Sequence, residues 1–93
     1  MTDKNLKEIY GIISKLKTVE ETEEFLNEIL TESELCDIAK RWNIFKMLSK
    51  KEPQRNIAKT LAVSLCKITR GAKILKEKKS ITRQILNDES WRK

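Results

Sequence analysis

Ninety-three residues hold one small domain, and a chain without a single histidine cannot build Ser-His or Cys-His catalytic pairs or the usual zinc sites. With 39% hydrophobic and 37% charged residues, two glycines and one proline, the composition excludes turn-rich all-β folds and disordered chains and fits amphipathic helices over a thin core. Residues 1–48 carry 7 Lys/Arg against 10 Asp/Glu, whereas residues 49–93 carry 13 against 4, so an acidic half is joined to a basic half suited to a polyanion.

In chain order, the first apolar stripe is Leu6, Ile9, Tyr10, Ile13 and Leu16, a helical spacing that closes near Lys17. Thr18 and Glu21 form a capping box, in which the hydroxyl accepts from the Glu21 amide and the carboxylate reaches back. A second helix then presents Phe25, Leu26, Ile29 and Leu30 on one side. Thr31 and Glu34 make another box and start a longer third helix, whose set Leu35, Ile38, Ala39, Trp42, Phe45 and Leu48, with Ile44 and Met47, is wider than one stripe. Such a helix is central to a bundle or to a dimer interface.

Lys50, Lys51 and Glu52 are polar punctuation, and Pro53 suits the first turn of a fourth helix with Ile57, Ala58 and Leu61 inward. Ala62 and Val63 form a tight turn, and Ser64 caps a fifth helix from Leu65 to about Lys76. Ser80 caps a last helix with Ile81, Ile85 and Leu86 inward, and the tail from Asn87 to Lys93 is expected to fray, with Trp91 on a neighbour or simply exposed. The fold class is therefore all-α, six helices with no strands and no internal repeat.

Residues 54–73 read as a helix-turn-helix: Ala58 permits a close crossing, and Ile57, Leu61, Val63 and Ile68 weld the two helices. Ala62 stands where such turns often carry glycine. The second helix offers Ser64, Cys66, Lys67 and Thr69 to a major groove, with Arg70 and Lys73 further along. Residues 50–79 hold ten Lys/Arg and two acids, so the basic charge coincides with the motif. The competing reading is an ordinary helical corner with a lysine-rich solvated face.

Leu30 and Thr31, Glu34, Arg41, Gln54 and Arg55, the run Ile68-Thr69-Arg70-Gly71, and Leu75-Lys76 together resemble the Trp repressor family, over roughly residues 25–76. The resemblance implies an intertwined all-helical homodimer. It divides the single domain 1–93 into a helical dimerisation core (1–50), the helix-turn-helix (53–76) and a C-terminal helix and tail (80–93). It also implies a repressor that binds operator DNA and is gated by L-tryptophan, a corepressor, or by a related small ligand.

By position, Arg41 and Arg70 would stack on the two faces of the indole, and Arg70 with Thr31 would hold the carboxylate. Gly71 would leave room for the ring, carbonyls near Glu28 and Leu30 would take the ammonium, and Phe45 and Ile74 would line the pocket. The family usually has a serine in place of Ile74 and a smaller aliphatic residue in place of Phe45, and its turn is about one residue longer. For DNA, the pattern puts Arg55 on a guanine edge, Leu65, Cys66, Lys67 and Thr69 toward the groove, and Gln54, Lys73 and Lys76 on phosphates. Ser64 begins that reading helix.

Two other readings stay open: a helix-turn-helix protein that binds double-stranded DNA without a ligand, and a helical adaptor whose basic face meets an acidic protein. An enzyme is least expected. Cys36 and Cys66, thirty residues apart with no partner motif, are expected as buried small side chains in a reducing compartment, although pairing stays possible. No apolar leader or span is visible, so a soluble, cytoplasmic protein with no membrane association is expected.

Overall fold

The computed structural model describes residues 3–88, and Trp91 with the rest of the tail lies outside them. Among the described residues there are six helices and no strand: α1 (Lys4–Lys15), α2 (Val19–Ile29), α3 (Glu32–Ser49), α4 (Gln54–Leu61), α5 (Leu65–Lys76) and α6 (Ile81–Asn87). None of these helices is long and apolar enough to cross a membrane. The chain divides into two compact units, one ending at Leu35 and the other starting at Cys36.

In the first unit, local side-chain chemistry sets the helix ends. Asp3 starts α1 earlier than the apolar stripe suggests, because its carboxylate accepts from the Asn5 amide at 2.8 Å. Leu16 is extended rather than helical, so α1 ends two residues short of the expected Lys17. The Thr18 hydroxyl accepts from the Glu21 amide at 3.0 Å, and the Glu21 carboxylate reaches past the cap to the Lys17 amide, also at 3.0 Å. Thr31 and Glu34 close a reciprocal box at 3.1 and 2.8 Å. Each such cap contributes about 1 kcal/mol. Neither α1 nor α2 contributes a buried residue, and Leu6, Tyr10, Ile13 and Ile29 stay exposed.

The second unit has a small closed core. Ile44 of α3, Ile57 of α4 and Ile68 of α5 are shut off from solvent, with Met47, Leu48, Ala58, Leu61 and Val63 packed around them. α4 packs on α5, and α5 on α6. α3 ends in a left-handed cap: Lys51 has φ 64°, its amide bonds the Leu48 carbonyl at 2.9 Å, and the Glu52 amide bonds Met47 at 3.1 Å. Ala62 takes the same conformation (φ 54°, ψ 46°) at the turn of the helix-turn-helix, without the glycine that would adopt it at no steric cost.

Three expectations need correction. Pro53 is the residue before α4 rather than in its first turn: its backbone is extended, and its carbonyl accepts from Asn56 and Ile57 at 3.0 and 3.1 Å. Ile81 and Ile85 are 69% and 42% exposed, and only Leu86 of α6 is buried, because a seven-residue helix turns one narrow face to its neighbour. Cys36 and Cys66 are free thiols on exposed helix faces, not buried ones.

Ile57→Ala and Ile68→Ala are each expected to lower stability by about 2–5 kcal/mol, measured by urea unfolding at fixed protein concentration. Ala62→Gly is expected to do the opposite, raising stability by up to about 1 kcal/mol in the same assay, because relief of left-handed strain exceeds the added chain entropy.

Candidate nucleic-acid interface

α5 has three faces, and the helical repeat of 3.6 residues separates them. Ile68 and Gly71 point inward and are buried, with Ala72 and Leu75 half-buried beside them. Cys66, Thr69, Lys73 and Lys76, spaced i, i+3, i+7, i+10, form an exposed outward stripe. Lys67, Arg70 and Ile74 share the third face.

The stripe continues onto α4. Gln54 and Arg55 are exposed in its first turn, and the Thr69 hydroxyl donates to Gln54 Oε1 at 3.4 Å, a long bond that ties the two helices across the corner. Ser64 sits at the N-cap position of α5, but its hydroxyl makes no capping bond, and Leu65 is 48% exposed next to it. All nine side chains expected to face nucleic acid, Gln54, Arg55, Ser64, Leu65, Cys66, Lys67, Thr69, Lys73 and Lys76, are thus at the surface.

The third face of α5 meets α3 at a cleft. Arg41, Lys67 and Arg70 line an opening of about 180 Å³, and Ile44, Phe45 and Gly71 lie with the same three cations around a recess of about 30 Å³ below it. Gly71 eases this approach of helices. A Cβ there would stand 3.2 Å from Leu48 Cδ1, 3.4 Å from Ile44 Cγ2 and 3.6 Å from the Phe45 ring.

Of the residues expected to hold a ligand, Arg41, Phe45, Arg70 and Gly71 come together in this way. Ile74, half-buried one turn further along, is not part of that lining, and Leu30 and Thr31 belong to the first unit. The Thr31 hydroxyl oxygen already accepts the Glu34 amide and keeps its proton for another acceptor. Lys67, expected toward the groove, also lines the cleft beside Arg70. Lys76 also borders an open groove of about 450 Å³ with Lys51, Leu75, Arg83 and Leu86, a setting that the sequence pattern did not reveal.

Residues 4–90 match the family model described as Trp repressor protein. The proteins called Trp operon repressor homolog in three strains of Xylella fastidiosa (M23, Temecula1 and 9a5c) are each 37% identical over 67 residues, covering 71% of this chain and 73% of theirs. No solved structure matches it.

Gly71→Ala is expected to stay within about 1 kcal/mol of the parent, since helix propensity gained offsets the few tenths of an ångström that Leu48 must yield. Gly71→Val is expected to cost about 1–3 kcal/mol more through overpacking, read from thermal melts of both variants.

Proposed function

Since the chain belongs to the Trp repressor family and is a regulator of that type, we propose that it binds operator DNA as a homodimer and that a small aromatic ligand, L-tryptophan or a relative of it, gates that binding. The observation that carries this reading is the outward stripe of α5. Four exposed side chains at groove-reading spacing, two of them lysines, stand beside Gln54 and Arg55 at a helix-turn-helix corner. Arg55 reads a guanine edge, while Lys73 and Lys76 hold phosphates and carry no sequence information. Ser64, Leu65, Cys66 and Thr69 complete the groove-facing surface.

The homodimer is supported by the apolar groups that the described residues leave in solvent. Leu6, Ile12, Ile13, Ile29 and Ile38 are each 40% or more exposed, apolar side chains that a second copy would cover. The division into a dimerisation core (1–50), a helix-turn-helix (53–76) and a C-terminal segment (80–93) belongs to the same proposal. The ligand reading is supported by the cleft of Arg41, Arg70 and Gly71, because guanidinium planes stack on flat rings and pair with carboxylates. Leu30, Thr31, Phe45 and Ile74 belong to the same ligand proposal by their positions in the family pattern. A cytoplasmic location follows from the role.

A second reading, DNA binding without a ligand, is favoured by Phe45. Its ring stands 3.6 Å from a Cβ built on Gly71 and narrows the recess.

The test is duplex binding after operator selection, with and without L-tryptophan. Arg55→Ala is expected to lose about 1–3 kcal/mol on the selected site and little on random duplex. Lys76→Ala is expected to weaken both alike and to reduce the salt slope by about one unit. Equal losses on both duplexes for both variants would remove Arg55 from its reading role, and unchanged affinity with the amino acid would remove L-tryptophan as the gate. Sedimentation equilibrium is expected to give twice the chain mass, and Ile13→Glu to shift it toward the monomer.

A further inference from the structure

Lys76 belongs to two surfaces at once. It ends the outward stripe of α5, and it stands on the rim of the open groove of about 450 Å³ among α3, α5 and α6. Lys51, from the cap of α3, and Arg83, from α6, share that rim and are exposed. Leu48, Leu75 and Leu86 supply the apolar lining, a surface along which long cationic stems lie while their charged heads stay in water. No lining residue is a carboxylate, and Glu52 and Glu77, next in sequence to Lys51 and Lys76, are not among them. Ser49 gives its hydroxyl proton to the Lys46 carbonyl at 2.7 Å, so the side-chain donors of the groove are the three cations and the Asn87 amide. Lys51 holds its place at φ 64°, a conformation that glycine adopts without strain. A lysine there strains the cap and adds a charge to the rim.

We infer, resting on the DNA binding proposed above, that this groove is a second contact with DNA, in which Lys51, Arg83 and Asn87 hold backbone phosphates beyond the base pairs met by the start of α5. Lysine, arginine and amide side chains are the usual donors to phosphate oxygens, and such contacts are indifferent to base sequence. The groove is continuous with the DNA-facing stripe through Lys76. Leu65 to Lys76 spans about 16 Å at 1.5 Å per residue, so the rim stands up to about five base pairs from the start of α5. From Cys36 onward the chain carries 16 Lys/Arg against 5 Asp/Glu, and this field draws the polyanion toward the rim.

The test is duplex binding by the full chain between about 50 and 200 mM salt. Arg83→Gln and Lys51→Gly are each expected to lower the salt slope by about one unit, which shrinks the affinity gap across that range about three- to fourfold. The loss is expected to be the same on the selected and on random duplex. Lys51→Gly is also expected to melt at or above the parent's temperature, which separates lost binding from lost folding. Lys79→Gln, exposed but outside the groove, is the control for general charge and is expected to change the slope less. On a duplex trimmed to the selected base pairs, Arg83→Gln is expected to bind as the parent does.

Slopes unchanged in Arg83→Gln and Lys51→Gly would overturn the groove contact while leaving a DNA-binding regulator in place. A Lys79→Gln effect as large as theirs would do the same, by making the field and not the groove responsible. Arg83→Gln shifting the sedimentation mass toward the monomer would make the groove a contact between copies instead. An Arg83→Gln deficit that persists on the trimmed duplex would overturn the placement beyond the base pairs read. Absence of salt-sensitive duplex binding in the parent chain would overturn the proposed function itself, and this contact with it.

Discussion

Three isoleucines hold the second unit together. Ile57 and Ile68 are wholly excluded from solvent and Ile44 almost so, and through them α4 and α5 are fastened to α3. Burying one such side chain is worth about 1.5–3 kcal/mol, so the contact dominates a unit with few other closed residues. It also fixes the rotation of α5. Once Ile68 and Gly71 are turned inward, the helical repeat leaves no choice about where Cys66, Thr69, Lys73 and Lys76 point, or where Lys67 and Arg70 point.

Two jobs on one helix follow from that rotation. In the proposed function, the outward stripe meets DNA and the adjacent face meets the ligand, separated by a fraction of a turn. A ligand wedged between Arg41 and Arg70 bears on the same rigid element that carries the stripe. It can shift the orientation of that stripe only to the extent that it binds one orientation more tightly than another. Gly71 is the hinge of this economy, since the backbone there lets Leu48, Ile44 and Phe45 come close without a side chain in the way.

The first unit obeys a different constraint. Its helices α1 and α2 are well capped, by Asp3 and Thr18, yet none of their apolar residues is buried. Capping satisfies backbone amides but excludes no water from side chains, so helix formation and core formation are separate requirements. In the proposed homodimer the second requirement is met by another chain, and folding and association become one equilibrium that depends on concentration.

Local chemistry was legible in the sequence alone. Hydroxyl and carboxylate at i, i+3 announced two helix starts, Ser64 to Lys76 was bounded correctly, and Ile57, Ala58, Leu61, Val63 and Ile68 carried the helix-turn-helix pattern, because these signals act within one or two turns. The family signature in Ile68 to Gly71 was equally visible, being a matter of residue identity.

Tertiary structure decided what periodicity cannot: that Ile81 and Ile85 remain in solvent while Leu86 is buried, that both thiols are exposed, and that Lys67 turns to Arg41 and Arg70. An apolar or charged residue carries no mark of which neighbour will face it. That depends on how helices far apart in sequence close on one another.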